Sequence, residues 1–109
     1  MKISDYEKLA VSTNEDNEDE NINLARLALG VSDEAGEVCG KVKKLFRGDY
    51  ELTREKRLEI ADEIGDVLWY CAVLSNALGI GLEAVCERNL SKLASRQLRG
   101  KIQGDGDNR

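Results

Sequence analysis

The chain has 109 residues, 34% of them charged, a formal net charge of -5, and neither proline nor histidine. Such a length bounds it to one domain with a modest core, for which self-association is a natural way to bury more surface. Without histidine no serine or cysteine can have an imidazole base, so catalysis is left to carboxylates, lysine or a metal; the net negative charge disfavours nonspecific nucleic-acid binding.

Absent proline and abundant Leu, Ala, Glu, Lys and Arg predict an all-α chain. The opening MKISDYEKLA has no signal-like apolar run, and no stretch of about 18 apolar residues exists to cross a membrane. A cytoplasmic location is therefore expected. Cys39, Cys71 and Cys86 are odd in number and lack CxxC spacing, which reads as reduced thiols in the core.

Four helices are predicted in one domain, residues 1–109. The first, about 3 to 12, carries Ile3, Tyr6, Leu9 and Ala10 at helical spacing. Glu15, Asp16, Glu18, Asp19 and Glu20 then read as a solvated acidic loop. The second helix, about 22 to 46, repeats Leu24, Ala28, Val31, Ala35, Val38, Val42 and Leu45 in steps of four and three, the seam of a bundle helix, with Gly48 as its stop. Thr53 is the expected N-cap of the third, about 54 to 78. Its stripe of Ile60, Ile64, Val67, Cys71, Leu74 and Leu78, with Ala61, Leu68 and Ala72 beside it, makes it the expected central helix. The fourth, about 82 to 98, carries Leu82, Val85, Cys86, Leu90, Leu93 and Ala94. Gly100, Gly104 and Gly106 mark residues 101–109 as a flexible tail.

Two acidic pairs of identical spacing stand out: Glu34 and Glu37 on the second helix, Glu63 and Asp66 on the third. At i, i+3 both members of a pair share one side of a helix, so two adjacent helices would point four carboxylates at one place. Uncompensated, such charges repel and raise each other's pKa values. The cluster implies a cation, and an all-oxygen donor set favours Mg²⁺ or Mn²⁺ over zinc or copper. Gly30, Gly36, Gly40 and Gly65 lie inside these helices, where each costs about 1 kcal/mol relative to Ala. That cost is expected where a backbone or ligand must come close. The plain alternative is a solvated acidic face, which is common for one such pair and less so for two pairs set among small and apolar residues.

Lys92, Arg96, Arg99, Lys101 and Arg109 fall in the last eighteen residues. A basic end suits a polyphosphate that also needs a carboxylate-bound metal; equally, cations there complement a helix dipole. Trp69 and Tyr70 read as core or subunit-interface aromatics before base-stacking platforms.

The ordered set ExxE, then ExxD within EIADEIGDVLWY, then NLSKL and the tail GKIQGDGDNR resembles the MazG-like all-α nucleoside triphosphate pyrophosphohydrolases, notably the small single-domain forms of phage and bacteria. The resemblance implies a four-helix bundle-like fold assembled as a dimer or dimer of dimers, with sites near a subunit interface. It implies that Glu34, Glu37, Glu63 and Asp66 hold Mg²⁺, with Glu37 and Glu63 as the catalytic pair and Glu37 the first choice to activate water. It makes Asn89, Lys92, Arg96 and Arg109 the groups that hold the substrate. The implied reaction cleaves a nucleoside triphosphate between its α and β phosphates, for nucleotide-pool control or housecleaning. Related substrates such as ppGpp or phosphoribosyl-ATP, and a non-catalytic helical interaction module, are the alternatives. A histidine-dependent di-iron bundle is excluded, and no motif reads a base.

Overall fold

Three of the four helices begin where a specific side chain accepts a hydrogen bond from their first turn. The computed structural model describes residues 1–16 and 19–109, in four helices: α1 (Ile3–Ser12), α2 (Glu20–Arg47), α3 (Arg54–Ala77) and α4 (Leu82–Leu98). No strand occurs among the described residues. The all-α expectation holds.

Helix α2 starts earlier than the periodicity alone indicates. Asp19 accepts a hydrogen bond from the Ile22 N–H at 3.1 Å, and Glu20 sits in the first turn. An acidic N-cap and first turn suit the positive end of a helix, so the end of the expected acidic loop is in fact a helix start. Glu18 lies outside the described residues. At the other end Gly48 adopts φ +89°, which lets its N–H and that of Asp49 close on Leu45 and Lys44. A residue with a Cβ is strained there. Thr53 caps α3 by accepting from the Lys56 N–H at 3.2 Å, as expected.

Helix α4 has no cap of its own, because its N-cap is Gly81. Glu7 of α1 supplies it, its Oε2 accepting from the Leu82 N–H at 2.7 Å. Replacing Glu7 by Ala is expected to remove about 1 kcal/mol of stability, read as a lower midpoint in urea with the helical content of the native baseline nearly unchanged.

Ala10, Leu27, Ala72, Val73 and Leu82 form the buried core, so α1, α2, α3 and α4 all contribute. Trp69 and Tyr70 pack against it at ring centroids 4.8 Å apart and 84° between planes. Trp69 Nε1 donates to Thr13 Oγ1 at 2.8 Å, and that hydroxyl donates to the Ala10 carbonyl at 2.7 Å. This chain of bonds fixes the end of α1 against α3. Cys71 and Cys86 are half-buried against the core, whereas Cys39 is exposed on α2, contrary to the expectation of a core thiol. The reason is that a single chain offers α2 only one neighbour along that stretch.

Helix α3 packs on each of the other three, as a central helix should, while α2 and α4 do not meet. The direction of the chain turns through 101° between α3 and α4. The result is open: the radius of gyration is 16.7 Å, against about 13 Å for a compact chain of this length. Large apolar side chains stay uncovered, among them Phe46 (94% exposed), Leu29 (70%) and Leu90 (65%). Ile64 and Leu68 on α3 are exposed as well. No single helix among the described residues is long and apolar enough to cross a membrane.

Candidate active site

The antiparallel α2–α3 pair builds the acidic centre. Carboxyl oxygens of Glu34, Glu63 and Asp66 lie within 4.8 Å of one another. At that spacing like charges repel by about 1–4 kcal/mol per pair, according to how far water screens them. Lys41 offsets part of this, its Nζ standing 3.5 Å from Glu63 Oε1. Three carboxylates and one lysine leave two negative charges, which one divalent cation would balance. Glu37, the fourth expected ligand, is exposed one turn along α2 and falls outside the group of three.

One turn from Glu34 on α2, and one turn from Asp66 on α3, Gly30 meets Tyr70. A Cβ on Gly30 would lie 2.1 Å from the Tyr70 ring. Gly30 therefore admits an aromatic side chain, which is the close approach its position implied. Gly36, Gly40 and Gly65 differ: a Cβ on any of them would have no neighbour within 4 Å. The expectation that these three mark a crowded pocket is not met within one chain, because their helix faces look outward from the α2–α3 pair.

The expected phosphate-binding residues gather elsewhere, on α4 and the tail. Asn89 and Lys92 line an open cleft of about 1200 Å³ together with Arg88, Ser91, Asp107 and Asn108. Lys92 Nζ bonds Asp107 Oδ1 at 3.0 Å. Arg96 is buried, 5% exposed, and its Nη2 donates to the Asp107 carbonyl at 2.7 Å and to Oδ1 at 3.2 Å. These hydrogen bonds from Lys92 and Arg96 hold the Asp107 carboxyl below its usual range. Arg109 turns inward, donating to the carbonyls of Lys101, Ile102 and Gly106. Residues 101–109 are thus folded around their own terminal guanidinium and pinned to α4.

The profile of the MazG nucleotide pyrophosphohydrolase domain matches residues 23–99, which span α2 to α4 with all four acidic residues, Asn89, Lys92 and Arg96. The chain belongs to the MazG family. It is also similar to the Gene 37 protein of Mycobacterium phage L5, at 49% identity over 87 residues that cover 79% of this chain and 76% of that protein. No solved structure matches it.

Two neighbours of the acidic centre, one inside the MazG match and one before it, escaped the sequence reading as site groups. Lys41 shares the α2 face of Glu34 and Glu37 at i+7 and i+4, so helical spacing was the signal for it. Tyr6 comes from α1, outside the matched residues, and nothing in sequence links it to the cluster. Burial, then the charges of Asp66 and Cys71, push its phenol upward.

Partial burial, followed by the charges of Asp66, Asp33, Glu63 and Glu37, raises the Glu34 carboxyl above its ordinary 4.5. A raised folded-state value means that the contribution of Glu34 to stability is full below 4.5 and is lost as pH rises through the raised value. In EDTA, the melting temperature of Glu34→Gln is therefore expected to gain on that of the native chain as pH rises from 4.5. Melting curves across that range check it, and parallel curves would contradict it.

Proposed function

We propose that this MazG protein is a metal-dependent nucleoside triphosphate pyrophosphohydrolase that converts an NTP or dNTP to its monophosphate and pyrophosphate. The observation that carries the reading is the convergence of Glu34, Glu63 and Asp66 from two helices to within 4.8 Å. The three candidate donors are all carboxylate oxygens, which fits Mg²⁺ or Mn²⁺. Those three residues would hold the cation. Bound there, such a cation neutralises charge on phosphate oxygens and lowers the pKa of a coordinated water.

The remaining steps belong to side chains. Glu37 is exposed and adjacent on α2, where it can orient the attacking water and accept its proton as the general base. Lys41, 3.5 Å from Glu63, would supply a positive charge for the phosphate chain beside the cation. Lys92 and Asn89 hold the phosphates or sugar, while Arg96 and Arg109 keep the tail that lines the same cleft in place. The attack is at the α phosphorus, so that pyrophosphate leaves.

The active unit in this reading is a dimer or dimer of dimers. Asp66 and Lys92 are joined by roughly ten residues of α3, the 101° turn and ten residues of α4, which at 1.5 Å per residue separates them by roughly 20 Å. That separation supports a reading in which a second copy completes the site. The cations of a second copy would bring phosphate contacts to the acidic centre, and the exposed Phe46, Leu29 and Leu90 offer the apolar surface for such packing. Sedimentation should give a multiple of the 12.1 kDa chain mass.

The deciding experiment is product analysis on the eight common NTPs and dNTPs with Mg²⁺, Mn²⁺ or EDTA. Metal-dependent release of pyrophosphate and monophosphate is the expected result. Orthophosphate would mean that another bond is cut, and no turnover of any nucleotide would remove the reading.

A further inference from the structure

The tail presents an internal carboxylate to the very cation that the proposed substrate needs. Lys92 lines the α4 cleft, and its one side-chain hydrogen bond among the described residues is to Asp107 Oδ1 at 3.0 Å. We propose that Asp107 is a built-in occupant of an anion seat formed by Lys92, which it yields to a phosphate group when the cleft fills. The inference deepens the hydrolase reading and takes from it that the arriving ligand carries phosphates.

Three features make the exchange easy. The Asp107 side chain is 83% exposed, so water receives it readily when it lets go. The exposed carboxylate–lysine pair stabilises by at most about 1 kcal/mol, and although the same Oδ1 also accepts from Arg96 Nη2 at 3.2 Å, a phosphate offers more charge and more acceptor oxygens to the ammonium. Second, the tail does not depend on this carboxylate to stay docked. Arg96 Nη2 also bonds the Asp107 backbone carbonyl at 2.7 Å, the Lys101 N–H bonds the Arg96 carbonyl at 2.7 Å, and Arg99 Nη2 bonds the Arg109 carbonyl at 2.8 Å. Third, the guanidinium beneath the seat is not saturated by the tail. Arg96 Nε is the one buried side-chain polar atom without a partner among the described residues, and such an unspent donor is rare in a settled core.

Arg96 and Lys92 thereby take different parts. Arg96, 6% exposed along its side chain, anchors the tail, and Lys92, 40% exposed, changes partner. The carboxylate then acts as a competitor that sets how tightly phosphate is held, and returns to Lys92 as pyrophosphate leaves.

The test is calorimetric binding of inorganic pyrophosphate, in EDTA, to the native chain, Asp107→Asn, Lys92→Gln and the double variant. Asn keeps the backbone carbonyl that Arg96 uses and removes only the charge. Asp107→Asn is expected to bind pyrophosphate about two- to fivefold more tightly, Lys92→Gln more weakly, and the gain is expected to vanish on the Lys92→Gln background. Equal or weaker binding by Asp107→Asn, a gain that survives Lys92→Gln, or no binding by any of the four would overturn the proposal. Turnover with Mg²⁺ is scored separately. Active enzyme without the Asp107 effect sinks the competitor alone, and the Asp107 effect without turnover sinks the hydrolase reading while the anion seat stands.

Discussion

Glu63→Gln is expected to reduce metal-dependent turnover by at least about 100-fold while the helical spectrum stays native. The size follows from position: loss of a group that merely orients a metal ligand already costs 10- to 100-fold, and Glu63 stands in the cluster itself, within 4.8 Å of Glu34 and Asp66. Gln keeps the shape but brings one neutral acceptor where a charge was needed, and it also frees Lys41, whose Nζ lies 3.5 Å from the Glu63 carboxylate. Glu34→Gln and Asp66→Asn should fall with it. Glu34→Gln should do so while raising the melting temperature of the metal-free protein, because Glu34 is the carboxyl whose ionisation burial and its neighbours oppose most visibly. Opposite signs for stability and turnover are the signature of a site held against its own repulsion. Glu37→Gln separates two roles. If Glu37 is the base, Mg²⁺ affinity survives and turnover does not; if it completes the metal shell, both fall. Near-native activity in Glu63→Gln would remove that residue from the mechanism, and calorimetry of Mg²⁺ with each variant supplies the binding half of the comparison.

Helix limits were legible because they rest on local chemistry. Gly48 and Thr53 mark their boundaries through a left-handed turn and a hydroxyl acceptor, both short-range features that sequence records directly. The convergence of Glu34, Glu63 and Asp66 was legible for a similar reason, since i, i+3 spacing fixes a face and two amphipathic helices in succession must pair. What escaped was everything decided by contacts across the chain. Glu7 serves as the cap of a helix that begins 75 residues later, and Leu27, the largest fully buried side chain, lies off the predicted α2 seam because α3, the helix on which α2 packs, brings Ala72 and Val73 into the same core. Arg96 read as a phosphate-holding cation or a charge at a helix end and is covered by the tail, since the glycine-rich segment after it folds back through the positive φ values of Gly100, Gly104 and Gly106. Apolar positions such as Ile64 and Leu68 read as core and lie exposed, for the pattern states that a face is to be covered without stating by which chain.

Gly30→Ala is expected to destabilise the protein by about 1–3 kcal/mol through overpacking, although an alanine in an open helix would add about 1 kcal/mol. The clash decides the sign. The new methyl would stand 2.1 to 2.5 Å from Cε1, Cζ and Cδ1 of Tyr70, and this ring also meets Trp69 edge-on at a centroid distance of 4.8 Å. Because Tyr70 and Asp66 are one turn apart on α3, as Gly30 and Glu34 are on α2, any widening of the helix pair at Gly30 carries into the acidic cluster. Mg²⁺ affinity should therefore drop along with the urea midpoint, which a purely local packing defect would not produce. Gly30→Ala combined with Tyr70→Leu should recover part of both losses, since the shorter side chain clears the methyl. At Gly65, where a Cβ meets nothing within 4 Å, the same substitution should instead stabilise an isolated chain by up to about 1 kcal/mol. A loss at Gly65 equal to that at Gly30 would mean that a second copy covers this face, and the dependence of the midpoint on protein concentration would then carry the difference.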